Sequence, residues 1–229
     1  MTAGQVEPRL RRAIDASIGW YEDLFALHGV GSRLEDGLWS SLAPPPPLHS
    51  DAVVVEPTVT AEQVMARLEG REHTGFKDSF SSIDASELGM ELLFAATWIH
   101  RDAAPSPHAT SGAWTVVRTP EELDGWTSGH DTSEVLLPGL LERGHFKILA
   151  QLDGDRIVAG AVARLGSGVV DLSNVHADPG HVVDWADLAD AVAGLFPGRP
   201  IVGYERGDDL DAALDGGFIP VGELRIWVR

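Results

Sequence analysis

The chain has 229 residues, with 17 Lys and Arg set against 35 Asp and Glu, a formal charge of −18. That balance repels nucleic acid and anionic membrane unless a basic patch is concentrated somewhere, and the nearest such run is Arg9 to Arg12. No cysteine is present, which excludes disulfides, thiolate zinc sites and cysteine nucleophiles.

Apolar runs are short and broken by charge, so no membrane-spanning helix is expected. The stretch MTAGQVEPRLRR lacks the apolar core of a signal peptide. These features lead to the expectation of a cytoplasmic protein with no nucleic-acid or membrane partner; a homo-oligomer is compatible with them.

Leu10, Ile14, Ile18, Tyr21, Phe25 and His28 recur at helical spacing and Gly29 follows as a stop. The prolines at 44–47 predict an extended connector. DAVVVEP reads as a short buried strand. Thr60 and Gln63 are spaced as a capping box for a helix that ends before Gly70. GFKDSFSSID and MELLFAATWIHR read as two strands. The segment 102–113, rich in Pro, Ser and Ala, is expected to link two halves, 1–101 and 114–229.

AWTVVRT opens the second half as a strand. Thr119, Pro120 and Glu122 begin a helix, and EVLLPGLLERG is expected to form another. Three antiparallel strands follow from His145 to Asp178, with tight turns at DGD and GSG. Asp184 is the expected N-cap of a helix carrying Trp185, Leu188, Val192 and Leu195. RPIVGYERG is a strand and DDLDAALDGG a short helix, its acids read as a solvated face. FIPVGELRIWVR is a final strand pair or one long bent strand. The fold class is α+β: a mixed, mainly antiparallel sheet flanked by helices, an antiparallel meander that gains a parallel βαβ unit.

This order, with Gly217 and Phe218 after the last helix and Trp227 in the closing strand, resembles the GNAT acetyltransferase superfamily over about residues 113–229. GYERGDDLDAALDGGFIPVGELRIWVR also lays over GFKDSFSSIDASELGMELLFAATWIHR, so that Gly203 meets Gly75 and Gly217 meets Gly89. This is the pattern of a tandem with a shortened GNAT-like N-terminal half. Two unrelated strand–loop–strand units sharing glycines would give it too.

The resemblance implies binding of acyl-coenzyme A, acetyl-CoA in the first instance, and transfer of its acyl group to a small amine. The matching positions are Val175 and His176 for the pantetheine strand, and Pro179, Gly180, His181, Val182 and Val183 for the loop that would wrap the pyrophosphate at a helix N-terminus. This loop departs from the family pattern. It has one glycine where two are expected, Pro179 lacks an N–H, and Asp184 brings negative charge. A carboxylate N-cap also suits an empty helix end.

The family's tyrosine acid on the last helix is replaced by Ala212, Ala213 and Leu214. Tyr204 is the candidate substitute, or a packing residue. Asn174 and His176 are candidates for oxyanion donor and base, with a solvent-facing histidine as the alternative. His176, Asp178 and His181 fit no metal motif. A GNAT-like protein without catalysis, serving as a ligand-binding or assembly module, is the competing reading.

Overall fold

A computed structural model describes residues 6–103 and 114–229; the expected linker, 102–113, falls mostly outside them. The chain forms two compact units, Met1–Trp98 with Val221–Arg229, and Ile99–Pro220. The units therefore do not follow chain order, because the end of the closing strand belongs with the first. No helix among the described residues is long and apolar enough to cross a membrane.

The first unit contains α1 (Pro8–Leu27), β1 (Ser32–Glu35), β2 (Leu38–Ser41), β3 (Ala52–Val54), α2 (Ala61–Arg67), β4 (Gly75–Asp78) and most of β5 (Glu91–Arg101). Glu7 accepts the Leu10 N–H and Pro8 fills the first turn of α1, which buries Ile14, Tyr21, Leu24 and Phe25. The β1–β2 hairpin was not expected from sequence. Its loop is Asp36-Gly37, both with positive φ (52° and 78°), the geometry of a two-residue type I′ turn. Thr60 and Gln63 form the expected capping box.

β3 runs parallel to β4 in register to its last residue, Val54 opposite Asp78. β4 is shorter than GFKDSFSSID implies. The Asp78 carboxylate accepts the N–H groups of Phe80 and Ile83 and turns the chain out of the strand. Lys77 is buried. Its Nζ donates to Ser17 Oγ at 3.0 Å and lies 4.9 Å from the Tyr21 ring centroid and 5.7 Å from that of Trp98, so aromatic faces help to carry its charge.

The second unit contains β6 (Trp114–Val116), α3 (Pro120–Ser128), β7 (Phe146–Asp153), β8 (Arg156–Gly166), β9 (Val169–Ala177), α4 (Trp185–Leu195), β10 (Ile201–Glu205) and α5 (Gly207–Asp215). The capping box at Thr119 and Glu122 is present. The helix expected over 134–144 is instead a single 3₁₀ turn, Pro138–Leu140. Pro138 cannot donate an N–H and Gly139 favours the unfolded chain, so the stretch cannot sustain α-helical bonding.

β7, β8 and β9 form the antiparallel meander, and β10 joins β9 in parallel. The closing segment is one strand, β11 (Ile219–Val228), which pairs antiparallel with β4. Trp185, Leu188, Ala189 and Val192 of α4 pack with Leu172, Val170 and Ile201 beneath and Phe218 beside them, forming the core that fixes α4 on the sheet. Burying each large apolar side chain contributes about 1.5–3 kcal/mol.

Candidate active site

The site begins with an irregularity in β9. Val162 pairs with Ser173 and Gly160 with His176, so Ala161 faces two residues, Asn174 and Val175. Asn174 is the extra residue and sits in the left-handed region at φ 52°, a conformation asparagine tolerates better than most. The bulge bends β9 just where its other neighbour leaves it. The β10 register reaches only Val202, opposite Asp171. A Cβ at Gly203 would stand 2.5 Å from the Leu172 carbonyl oxygen, so glycine permits this last close approach. Beyond it β9 continues to Ala177 and β10 to Glu205.

A cleft of about 430 Å³ lies along this free stretch of β9. Val175, His176 and Ala177 supply one wall, and His181, Val182 and Val183 of the following loop another. Trp185 begins the helix behind them, and Asp208, Asp209 and Ala212 of α5 complete the lining. A neighbouring cleft of about 420 Å³ takes Pro179, Gly180 and again His181, with Arg156 and Asp178. His181 stands between the two, its Nε2 donating to Gln151 Oε1 at 2.8 Å.

The structure thus brings five of the seven expected cofactor-loop and strand residues to one cleft and leaves Pro179 and Gly180 in the next. Asn174 and Tyr204 are not among the residues lining either cleft. The Asn174 side chain bonds its neighbour, Nδ2 to Ser173 Oγ at 3.1 Å. The acids of DDLDAALD, read from sequence as a solvated face, include two that border the cleft.

His176 is the most constrained side chain here. Its Nδ1 lies 3.1 Å from the Asn174 carbonyl oxygen. A carbonyl only accepts, so Nδ1 carries the proton and Nε2 the lone pair. Burial, only partly offset by this bond and by Asp178, holds the ring below the ordinary imidazole range. Glu205 moves the other way. Burial first, then the charge of Asp209, push its carboxyl up to about 8 against the pull of Arg206. At neutral pH the imidazole that borders the cleft is therefore neutral, and the Glu205 carboxyl at the end of β10, outside the lining of either cleft, keeps its proton.

The start of α4 is occupied. Asp184 Oδ1 accepts the Asp187 N–H at 3.0 Å. Arg156, supplied by β8, reaches the loop from outside the stretch that lacks cations and pairs with Asp178 at 2.7 Å.

No protein-family model matches the sequence, and no curated protein matches it either. Solved structures do. The GCN5-related N-acetyltransferase from Kribbella flavida is 16% identical, with a TM-score of 0.64 over 96% of this chain and 95% of that one. A protein assigned to the GNAT acetyltransferase family from Novosphingobium aromaticivorans is 15% identical, with a TM-score of 0.63 over 97% and 98%. A GCN5-related N-acetyltransferase-like protein from Streptococcus suis is 11% identical, with a TM-score of 0.59 over 96% and 98%. The fold is GNAT-like over nearly the whole chain, including the residues before 113 that the sequence resemblance did not cover.

Acyl-CoA is the cofactor that the sequence resemblance implies, and the features of the cleft fit it unequally. The bulged run of β9, paired with β8 but past the last residue paired with β10, and the apolar Val175, Ala177, Val182 and Val183 suit a pantetheine arm. A diphosphate is suited less well: the start of α4 is already capped by Asp184, Asp208 and Asp209 add negative charge to the cleft lining, and Arg156, in the neighbouring cleft, is already paired.

Proposed function

We propose that the protein is an acyl-CoA-dependent N-acyltransferase, acetyl-CoA being the simplest donor, that acylates a small amine in the cytoplasm. The observation that carries this reading is the parting of β9 from β10 at the Asn174 bulge, with a cleft of about 430 Å³ along the freed strand. Val175, Ala177, Val182 and Val183 would hold the pantetheine arm. When bound, the acyl-CoA supplies the activated acyl thioester.

The residues of the chain handle protons. An amine attacks only when neutral, so a base must take its proton. His176 Nε2 has the free lone pair and the ring is neutral at pH 7, which is the state a base needs. Glu205, at the end of β10 just before α5, carries a proton at that pH and is the candidate proton source. Tyr204 is displaced from the acid role. Asn174 acts through its backbone, as the acceptor that sets the His176 tautomer. The same reading takes residues 1–101 as a shortened GNAT-like copy and 114–229 as the acyltransferase segment.

Calorimetric titration with acetyl-CoA and CoA tests the proposal. The expected result is one site of micromolar affinity, about −8 kcal/mol. His176→Gln is then expected to lower kcat by about 10²–10⁴-fold with donor affinity unchanged. Absence of heat and of any thermal shift at millimolar ligand would overturn the reading. It would favour a second one, supported by the capped start of α4 and the acidic wall: a GNAT-like ligand-binding or assembly module without catalysis.

A further inference from the structure

His176 is held from four directions, and only one of the holders is in β9. The His130 ring stacks on it, with centroids 4.1 Å apart and planes 9° from parallel. Trp126 meets the His176 ring edge-on at 4.6 Å and 87°, and meets His130 at 5.9 Å and 80°. Trp126 is itself pinned, its Nε1 donating to the Leu149 carbonyl at 2.8 Å. Beneath the rings β8 presents Gly160, where any Cβ would collide with His176 Cε1 and Trp126 Nε1. His130 stands in the turn after α3, its N–H bonded to the Thr127 carbonyl at 3.2 Å. Three segments of the chain, the end of α3 with its following turn, β8 and β9, therefore converge on one imidazole that borders the cleft.

We propose that His130, backed by Trp126, is a positioning residue that holds the His176 ring in the plane where Nδ1 donates to the Asn174 carbonyl and Nε2 is left to accept a proton. Parallel imidazoles at this distance do not both carry a proton charge, since two imidazolium ions would repel at contact. Burial and the neighbouring His176 do push His130 down to about 4. The catalytic use of this clamp rests on the transferase reading above; the clamp itself does not.

The test is nitrogen NMR of the full-length protein, assigned through His176→Gln. In the wild type, His176 is expected to show a single tautomer with Nδ1 protonated. In His130→Ala the His176 signals should shift toward the mixed-tautomer average, while His130→Phe, which preserves the stack, should keep the wild-type pattern. Where amine acylation is measurable, His130→Ala should lower kcat about tenfold at unchanged donor KM, and His130→Phe should retain activity. Unaltered His176 signals in His130→Ala overturn the proposal, as does an Nδ1-unprotonated wild type. A protein that binds no acyl-CoA but shows the expected ring shifts retains the clamp and loses the transferase reading. If His130→Ala fails to fold, Trp126→Phe, which removes the anchoring indole N–H, must show the same shift or the proposal fails.

Discussion

The parallel pair β3–β4 in the first unit and the parallel pair β9–β10 in the second follow the same local plan, and only one of them opens. In residues 32–101 and again in 146–228 the chain makes a hairpin, a third strand, a helix, a parallel strand, a helical turn, a left-handed glycine (Gly89, Gly217) and a long strand. β3 is three residues long and paired to its end. β9 is nine residues long, bulged at Asn174, and paired with β10 at Val170 and Asp171. Two strands whose register runs to their ends leave no backbone edge for a ligand. The overlay also matches Lys77 with Glu205. The first unit seals its position with Tyr21 and Trp98 around an ammonium, whereas the second keeps a carboxyl that burial and Asp209 hold protonated. A shared plan therefore does not transmit a site; strand length beyond the last paired residue does.

The largest effect should come from the closed side. Trp39 is fully buried, with Tyr21 and Phe25 set edge-on against it at 5.2 Å. Trp39→Ala should cost about 3–5 kcal/mol in chemical denaturation and leave acyl-CoA affinity of the folded protein unchanged. A loss of affinity matching the loss of stability would break the contrast. Gly160→Val should cost about 1–3 kcal/mol by overpacking and, unlike Trp39→Ala, should abolish the His176 ring signature.

The proton balance gives a third test. The Glu205 folded pKa is raised, so its burial penalises stability as pH climbs from about 4.5 through 8. Glu205→Gln should be more stable than wild type at pH 8, with the difference vanishing near pH 4.5 in thermal melts. The opposite sign holds for His49 of the first unit, lowered to about 4 mainly by burial. Its Nε2 accepts the Trp20 indole N–H at 3.1 Å and its Nδ1 donates to the Pro47 carbonyl at 2.9 Å. Its contribution is full above pH 6.5 and is lost as pH falls toward 4, as is that of His130. His49→Phe should flatten the acid limb of the melting curve.

The smallest effect concerns the wall charges. Asp208→Asn and Asp209→Asn should each tighten acyl-CoA by about two- to fivefold at low salt, the size of one exposed charge at short range. Glu35→Gln, at the rim of a 230 Å³ hollow in the first unit, should change nothing.

Much of this was legible in the sequence because it follows local rules. The boxes at Thr60–Gln63 and Thr119–Glu122 and the Asp184 cap each involve residues three apart, and all three formed. The β7–β9 meander was marked by alternation and by its turns. The β1–β2 hairpin could have been found from Asp36-Gly37, but the prolines after it drew the reading to a connector. The 3₁₀ turn at Pro138 reflects a backbone defect that apolar periodicity conceals. The candidate site was half legible. The run from Val175 to Val183 reached the clefts because it is contiguous. His130, Trp126, Gly160 and Asp209 could not be found the same way, since each joins the site through tertiary packing that leaves no local spacing in the chain.

Gly160 carries a consequence for descent. It is a non-catalytic position at which every side chain excludes the same two rings. A lineage can therefore keep the indole and the imidazole, or acquire a side chain at 160, but not both. Among homologues a residue other than glycine at this position should appear only where Trp126 or His176 has already been replaced, so that one small strand residue orders the sequence in which this chemistry can be lost.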